Sequence, residues 1–256
     1  MSEGLKEVNG WMVPTNDKMI TKKIGQGVPP ESKETDTVGY ERHFRKYLTR
    51  HVTKKEVMLD VGGNIGIWAK PMSDHFKKVI TFEPAPRNLE ALKMNIAGIS
   101  NIELIEKAVG ENHIESAEFH DTFKNCGGIK IAELSGREES KENDFTAEVI
   151  TIDSLELDEC DLIKIDVEGY EFPVLKGAVE TIKRCKPWII TEKNEEFEML
   201  DAWISDLGFY TKLDSKLCAI YSPETNVDQN IYNPRVYHNE IKSIRSSFAL
   251  ANLQTD

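Results

Sequence analysis

A glycine-rich turn follows the first strongly apolar run of the chain. The run Val57–Val61 is typical of a buried β-strand, and the residues after it, which we call the glycine loop (residues 62–66), are small or polar: Gly62, Gly63, Asn64 and Gly66, with Ile65 between them. In an open α/β sheet, ligands bind at the carboxyl ends of the strands, where small residues let the backbone approach a ligand closely. The glycine loop is therefore a candidate binding element, although such a turn can also be a simple tight connection.

The spacing of these residues indicates which cofactor the glycine loop could hold. A dinucleotide-binding G-x-G-x-x-G motif would need glycine at position 61, which is Val61, and the phosphate-binding G-x-x-x-x-G-K-[ST] motif is absent. Glu83 ends the second predicted strand, 23 residues after Asp60, where an acid can accept hydrogen bonds from two ribose hydroxyls. Asp60 could pair with the ammonium group of an amino-acid moiety. This pattern fits a nucleoside without pyrophosphate, and S-adenosyl-L-methionine (SAM) is a common one.

A second group of acids follows a later apolar run. The strand predicted to end at Asp166 continues into Glu168 and Glu171, which places three carboxylates at the carboxyl edge of the sheet. Acids are favourable at the start of a helix, and this explains Glu171 without any function. Asp166 and Glu168 remain as candidate functional groups beside the predicted cofactor site.

Taken together, these segments resemble the FkbM family of SAM-dependent methyltransferases over roughly residues 39–222. The most specific part is the sequence KIDVEGYE at residues 164–171, and the family usually has Ala where this chain has Gly63. The other matching segments are Asp60–Gly66, Phe82–Pro84, Asn95, Ala108–Gly110, Thr151–Asp153, Gly177–Ala178, Pro187 and Glu192.

The resemblance implies a fold, a cofactor site and an activity. The fold would be α/β, a Rossmann-like class I methyltransferase with a mostly parallel seven-stranded sheet and an antiparallel C-terminal hairpin. SAM would contact Asp60, Gly62, Asn64, Gly66 and Glu83. The activity would be methylation of a hydroxyl group, often on a sugar or natural product.

Methyl transfer to an alcohol also requires removal of the hydroxyl proton, by a base or with the help of a metal. We expect Asp166 to be the base or to orient the substrate, with Glu168 as the second candidate. The isolated residues His120 and His238 are weaker alternatives. Oxygen ligands on Asp166, Glu192 and Asn194 could hold Mg²⁺, but we favour a site without a metal.

The chain divides into three predicted segments: an irregular N-terminal leader (residues 1–38), the methyltransferase domain (39–222) and a C-terminal tail (223–256). Strands alternate with helices in the domain, which predicts a mostly parallel sheet covered on both faces. The predicted helices include residues 65–76, which Pro71 should kink or shorten, and residues 170–184. Residues 111–148 interrupt this alternation with short β-like pieces at 117–120 and 129–131, and a further strand is predicted over residues 145–152. We expect Asn125 in this insertion to contact the adenine. Trp11, Tyr40 and Glu41 could cap the site from the leader, although Trp11 could equally pack on the domain.

The composition excludes several classes of protein. The 256 residues are 39% hydrophobic and 30% charged, as in globular proteins, and the net charge of −12 disfavours binding to nucleic acid or an anionic membrane. No apolar stretch approaches the roughly 20 residues of a membrane span, and the first residues lack the apolar segment of a secretory signal. The four cysteines are widely spaced. We therefore expect a cytoplasmic protein with a small-molecule or glycan acceptor; the sequence carries no signal for an oligomeric state.

Two other functions stay open at this point. Enzymes that methylate exocyclic amines of nucleic acids carry an (Asp/Asn)-Pro-Pro-(Tyr/Phe) run after the fourth strand, and this chain has Asp166-Val-Glu-Gly there. A non-catalytic SAM-binding protein would keep the glycine loop but would need no base. The absence of this run and the net charge of −12 disfavour the nitrogen acceptor, whereas replacing Asp166 by Asn would distinguish an enzyme from a non-catalytic SAM-binding protein.

Overall fold

A computed structural model describes residues 4–25, 38–121, 127, 129–132 and 144–224. The strands, in chain order, are β1 Leu5–Val8, β2 Trp11–Pro14, β3 Val57–Val61, β4 Lys78–Phe82, β5 Ile102–Ile105, β6 Ala108–Val109, β7 Ile114–Asp121, β8 Ile129–Ile131, β9 Phe145–Ile150, β10 Leu162–Ile165, β11 Trp188–Glu192, β12 Tyr210–Asp214 and β13 Cys218–Ser222. The α-helices are α1 Lys18–Gly25, α2 Arg42–His51, α3 Ala69–Met72, α4 Pro86–Asn95, α5 Glu171–Lys176, α6 Val179–Cys185 and α7 Phe197–Asp206.

Seven strands form the central sheet, in the order β5-β4-β3-β10-β11-β13-β12. The five strands from β5 to β11 pair in parallel, β13 runs antiparallel to β11, and β12 runs antiparallel to β13. The predicted α/β architecture with a seven-stranded sheet is therefore confirmed. Because the first five strands are parallel, their carboxyl ends all lie at one edge of the sheet.

The middle of the sheet is the core of the molecule. Both β3 and β10 carry consecutive apolar residues that are almost fully buried, among them Leu59, Ile163 and Ile165. Such runs are expected where helices cover both faces of a sheet. The strand ends beside this core are held rigidly, which suits them to position functional groups.

Two predicted helices are shorter or more divided in the structure. A helix predicted over residues 65–76 is reduced to α3, in which Pro71 has no amide to continue the hydrogen bonding. A helix predicted over residues 170–184 is instead the pair α5 and α6, separated by Gly177 and Ala178. A Cβ atom on Gly177 would lie 2.0 Å from the Gly110 carbonyl oxygen, so this break lets two backbone segments touch.

The prediction of an irregular leader over residues 1–38 was wrong for the part that the structure describes. β1 and β2 form an antiparallel hairpin, and α1 follows it. The side chain of Asn95 on α4 accepts a hydrogen bond from the Met12 amide (2.7 Å) and donates to the Met12 carbonyl (2.9 Å) and to the Ile65 carbonyl (2.8 Å). Trp11 is 4% exposed, so it packs on the domain. These strands have only four residues each, which is too short for a clear periodic signal.

The strands β6, β7, β8 and β9 form a second sheet, in the order β6-β9-β7-β8. The predicted strands at 117–120 and 129–131 are confirmed within β7 and β8, and the strand predicted from Phe145 is β9. The joining of these strands in a separate sheet was not predicted. Asn125 and almost all of the segment 223–256 lie outside the described residues. The described helices include none long and apolar enough to cross a membrane.

Candidate functional site

A cleft of about 390 Å³ lies at the carboxyl edge of the central sheet. Its walls come from the ends of β3, β4, β10 and β11, from α1 and from the segment before α2. Of the residues predicted to form the site, those that line the cleft are Gly62, Gly63, Asn64, Glu83, Asp166 and Glu168. The prediction that these residues meet at the carboxyl edge of the central sheet therefore agrees with the structure.

The glycine loop is held by hydrogen bonds to its neighbour β4. The amides of Gly62 and Gly63 donate to the Phe82 carbonyl at 3.1 and 2.8 Å. Gly62 has φ +83°, and a Cβ atom there would lie 2.0 Å from the backbone oxygen of Asp166. A Cβ atom on Gly63 would lie 2.2 Å from Thr81 Oγ1. Gly62 is thus required by a backbone contact within the protein, whereas Gly63 meets only the Thr81 side chain, which can move.

Glu83 connects the glycine loop with the end of β4. Its Oε2 accepts a hydrogen bond from the Asn64 amide at 2.7 Å, and its Oε1 accepts one from the Ala85 amide at 2.9 Å. Burial raises the pKa of Glu83 to about 7, although these hydrogen bonds oppose the rise. The Asn88 side chain also hydrogen-bonds to Glu83. Because the two oxygens of a carboxylate offer about four lone pairs, Glu83 can still accept a hydrogen bond from a ligand in the cleft.

Two residues predicted to contact the cofactor do not line the cleft. Asp60 is fully buried: its Oδ2 accepts a hydrogen bond from Thr81 Oγ1 at 3.2 Å, and its Oδ1 lies 3.2 Å from Lys164 Nζ. Burial raises the pKa of Asp60, against the effect of Lys164. Gly66 packs toward α4, where a Cβ atom would lie 2.9 Å from Leu92 Cδ1. The predicted direct contacts through Asp60 and Gly66 are therefore not supported.

Asp166, Glu168 and Glu192, which we call the acidic edge, face the cleft from the ends of β10 and β11. Burial, followed by repulsion from Asp166, raises the pKa of Glu168 to about 7 and that of Glu192 to about 8. A carboxyl group with such a pKa can accept and return a proton near neutral pH. The acidic edge can therefore act in proton transfer.

The backbone around Glu168 adopts an uncommon conformation. Glu168 has φ +56° and Gly169 has φ +107°. Glu171 stabilises this turn because its Oε1 accepts hydrogen bonds from the amides of Val167 (3.1 Å) and Gly169 (3.2 Å). The interpretation of Glu171 as a structural residue is confirmed by these contacts. Strained positions of this kind are common where a side chain must be aimed at a functional site.

The sequence analysis assigned no role to Lys164, which lines the cleft between the glycine loop and the acidic edge. Its Nζ donates to the Gly62 carbonyl at 2.8 Å and lies 3.9 Å from Asp166 Oδ2. A signal was present in the sequence, since a lysine interrupts the apolar run of a strand that was predicted to be buried. Buried lysines need charged or hydrogen-bonding partners.

Tyr40 and Glu41 line the cleft, as the sequence analysis suggested. Glu41 Oε2 accepts a hydrogen bond from Trp68 Nε1 at 2.7 Å, and Glu41 has φ +55°. Burial, followed by the charge of Asp166, raises the pKa of Glu41. Met19, Ile20 and Lys23 of α1 form another part of the wall. The N-terminal segment thus contributes directly to the cleft.

The alternatives for metal binding and for a histidine base find no support in the geometry. The side chain of Asn194 donates to Glu171 and accepts from the Glu196 amide, so both of its ends are engaged within the protein. Within the described ranges, no group of three or more His, Cys, Asp or Glu side chains is arranged to hold a metal ion. His120 lies on β7 with its Nε2 3.9 Å from Asp144 Oδ2, and it does not line the cleft. His238 lies outside the described residues.

The chain is similar to a known protein family and to several solved structures. The family model described as the methyltransferase FkbM domain matches residues 60–210, more than half of the chain. No curated protein gives a significant match. A solved structure of methyltransferase FkbM from Methylobacillus flagellatus KT is similar, with 21% identity and a TM-score of 0.47; the match covers 65% of this chain and 43% of that chain.

Two further solved structures resemble the chain. Precorrin-6y C5,15-methyltransferase from Geobacter metallireducens is 13% identical with a TM-score of 0.44, and the match covers 74% of this chain and 90% of that one. Fibrillarin from Aeropyrum pernix, solved with bound S-adenosyl-L-methionine, is 14% identical with a TM-score of 0.41, with 67% of each chain covered. Because every TM-score is below 0.5, the assignment rests on the match to the domain model. On that match, the chain belongs to the FkbM methyltransferase family.

Proposed function

We propose that this chain transfers a methyl group from SAM to a hydroxyl group of a sugar or small metabolite. One observation carries the proposal: Glu83 and the glycine loop share a single cleft with the acidic edge. A site for a nucleoside and a set of proton-accepting groups are thus brought together at the edge of a sheet where ligands of α/β proteins bind.

The residues on the glycine-loop side fit the nucleoside part of SAM. Glu83 offers a remaining lone pair for a ribose hydroxyl, and the small residues Gly62 and Gly63 leave the wall open. A cleft of about 390 Å³ falls within the usual range of roughly 300–1,000 Å³ for small-molecule sites. Lys164 offers a positive charge for the carboxylate of the methionine moiety, and Glu41 offers negative charge for its ammonium group.

Bound SAM supplies an electrophilic methyl group on its sulfonium. The protein must orient the acceptor hydroxyl in line with that group and accept its proton. We assign proton acceptance to Asp166 and assign Glu168 as the second carboxylate that receives or shares the proton. The raised pKa of Glu168 suits this exchange near neutral pH.

The walls of the cleft support a hydroxylated acceptor. Tyr40 presents an aromatic ring that the amine of Lys23 covers at 3.5 Å, and Glu41 and Glu192 add acceptors for hydroxyl hydrogen bonds. Alternating aromatic and carboxylate groups of this kind suit a sugar, which has apolar ring faces and hydroxyl edges. We propose that no nucleic acid and no membrane takes part, in line with the net charge of −12.

Calorimetry with SAM and with S-adenosylhomocysteine tests the cofactor site. We expect saturable binding of both compounds, and no binding of NAD, because the glycine loop lacks the pyrophosphate-binding spacing. The proposal fails if neither nucleoside binds or stabilises the protein, or if NAD binds more tightly than both.

A screen for methyl uptake tests the acceptor class. Labelled SAM is incubated with hydroxylated sugars, hydroxylated metabolites and amines, each with and without Mg²⁺. We expect transfer to a hydroxyl compound that does not depend on Mg²⁺. Transfer to amines alone would show a nitrogen acceptor, and SAM binding without any transfer would favour a non-catalytic SAM-binding protein.

A further inference from the structure

Lys23 is a half-buried cation in the wall of the cleft. It lies in the last turn of α1 and lines the cleft together with Met19 and Ile20 of the same helix. Its neighbour Lys22 is exposed, although both lysines are placed to interact favourably with the carboxyl end of the helix. Stabilisation of α1 therefore explains a lysine at either position, but it does not explain why the side chain of Lys23 lines the cleft.

The ammonium group of Lys23 has an aromatic partner instead of a carboxylate. Its Nζ lies 3.5 Å from the centroid of the Tyr40 ring, and Tyr40 also lines the cleft. In the part of the chain that the structure describes, no carboxylate lies within ion-pair distance of this ammonium group. A cation–π contact replaces only part of the hydration that a half-buried ammonium loses, so the group can still bind an anion.

The other cations near the cleft are engaged elsewhere or lie outside the wall. Lys164 lies 3.2 Å from Asp60 Oδ1, and its charge is assigned above to the methionine moiety of SAM. Arg45, on α2, is almost fully buried and donates to two backbone carbonyls before that helix. Lys130, on β8, does not line the cleft. Among the described residues, Lys23 is therefore the cation of the wall that remains for an acceptor.

Lys23 lies within electrostatic reach of the acidic edge. Burial and the charge of Asp166 raise the pKa of Glu168, and the charges of Lys130 and Lys23 oppose this rise. Ile129 of β8 lines the cleft as well, so α1 and β8 both contribute to the wall near the acidic edge. An acceptor whose hydroxyl meets the acidic edge can therefore also contact Lys23.

The acids of the cleft do not exclude an anion from this wall. Burial, followed by repulsion from Asp166, raises the pKa of Glu168 to about 7 and that of Glu192 to about 8. The same two causes raise the pKa of Glu41. These three carboxyl groups therefore carry less negative charge at neutral pH than exposed carboxyl groups do, which permits an anionic ligand beside Lys23.

We propose that Lys23 binds the acceptor, and that the acceptor carries an anionic group, a carboxylate or a phosphate, besides the hydroxyl that is methylated. This inference rests on the proposed function, because the hydroxyl acceptor and its place at the acidic edge come from it. It narrows the acceptor to sugar acids, sugar phosphates and related hydroxylated anions. It also assigns a binding residue that precedes the domain matched by the family model, which begins at residue 60.

NMR of the lysine side chains tests the anion site without a known acceptor. The protein is labelled with ¹³C at lysine Cε and titrated with glucose, glucuronate and glucose phosphate, in the presence of S-adenosylhomocysteine. The signal of Lys23 is identified by its loss in Lys23→Met, and that of the exposed Lys22 by its loss in Lys22→Met. Methionine is unbranched and packs well on an aromatic ring, so Lys23→Met should keep the fold.

We expect the Lys23 signal to shift saturably with glucuronate or with glucose phosphate, and the anion that binds more tightly identifies the class. Glucose should leave the signal in place, because an ammonium group gains most from an opposite charge. The proposal is overturned if both anions leave the Lys23 signal unchanged. It is also overturned if the Lys22 signal moves equally, since this would show non-specific attraction to exposed cations.

Methyl uptake supplies the second readout, with each neutral sugar compared with its acid and its phosphate. We expect kcat/KM to be at least about tenfold higher for an anionic member than for the neutral sugar. In Lys23→Met the KM for that acceptor should rise about tenfold with little change in kcat, because uniform binding is lost. Lys23→Arg should restore most of the affinity, and the matched control Lys22→Met should behave as the wild-type enzyme.

Equal kcat/KM for neutral and anionic acceptors would contradict the proposal, and this comparison decides the matter if Lys23→Met does not fold. Calorimetry with SAM separates the inference from the proposed function. SAM binding without any response of Lys23 to the anions overturns only the role of Lys23, whereas anion binding at Lys23 without SAM binding overturns only the proposed function. If Lys23→Met weakens SAM binding and leaves the acceptor KM unchanged, Lys23 serves the cofactor and the inference is wrong.

Discussion

The glycine loop and the acidic edge lie on opposite sides of one cleft. The backbone amides of the loop are paired by hydrogen bonds, whereas the carboxylates of the acidic edge repel one another. In the glycine loop, the amides of Gly62 and Gly63 bond to Phe82, and the amide of Asn64 bonds to Glu83. At the acidic edge, carboxylates face one another, and their mutual repulsion and burial raise the pKa values of Glu168 and Glu192. A loop with satisfied backbone groups is suited to rigid binding, whereas acids that repel one another are suited to moving a proton.

The largest effect should come from the acidic edge. Asp166→Asn removes the proposed proton acceptor and keeps the size of the side chain, so turnover should fall about 10²–10⁴-fold, the usual contribution of a general base. SAM affinity measured by calorimetry should change by less than about tenfold, because binding rests mainly on the other side of the cleft. Asp74→Asn, at an exposed position away from the cleft, is the matched control. Unchanged turnover in Asp166→Asn would remove this residue from the mechanism.

In the glycine loop, the largest effect should be on stability. Gly62→Ala places a Cβ atom 2.0 Å from the Asp166 backbone oxygen at a residue with φ +83°, so we expect a loss of about 3 kcal/mol or more in the free energy of unfolding. Gly63→Ala meets the Thr81 side chain, which can move, and should cost about 1 kcal/mol.

Denaturant unfolding of both variants measures this difference. The cost of Gly63→Ala should shrink when Thr81→Ala is added, which a double-mutant cycle detects. Equal losses in Gly62→Ala and Gly63→Ala would mean that the approach of the Asp166 backbone does not constrain the loop.

Glu83→Gln tests whether the glycine-loop side binds the nucleoside. The amide keeps the shape but weakens the hydrogen bonds that a carboxylate accepts from ribose hydroxyls, so SAM affinity should fall about tenfold, or about 1.4 kcal/mol. Calorimetry measures this fall in SAM affinity, with Glu90→Gln, at an exposed position, as the control. A larger loss of SAM affinity in Asp166→Asn than in Glu83→Gln would contradict the assignment of SAM binding to the glycine-loop side and of proton transfer to the acidic edge.

The smallest effect is the pH dependence of stability. Because the folded-state pKa of Glu192 is raised from its usual value to about 8, the folded protein binds this proton more tightly than the unfolded chain does. Stability should therefore be greatest below about pH 4.5 for this group and should decrease as the pH rises toward 8. The full shift would correspond to about 5 kcal/mol, but because Glu192 is partly exposed and screened by solvent, we expect a decrease of only about 1 kcal/mol.

Glu192→Gln should remove part of this decrease, and the exposed control Glu195→Gln should not. Thermal unfolding between pH 5 and pH 8 measures the difference. A steeper decrease in Glu192→Gln than in the wild-type protein would contradict the assigned origin of the raised pKa.

Local sequence determined the strands and the edge at which the site lies. The apolar runs at Val57–Val61 and Leu162–Ile165 are typical of buried central strands, and glycines or acids follow each of them. Since parallel strands end at the same edge, the sequence alone predicts that Glu83 and Asp166 lie close together, and both line the one cleft. The hairpin and helix at residues 5–25 gave no comparable signal because their elements are short.

Only the tertiary structure decided which polar groups face a ligand and which face one another. Asp60 lies in the predicted strand, yet its side chain pairs with Lys164 because β3 and β10 are neighbours in register, with Asp60 opposite Lys164. The raised pKa values at the acidic edge depend in the same way on residues far apart in the chain that meet at β10 and β11. Sequence spacing specifies distances along a strand, whereas charge and burial at a site depend on the strands and helices packed beside it.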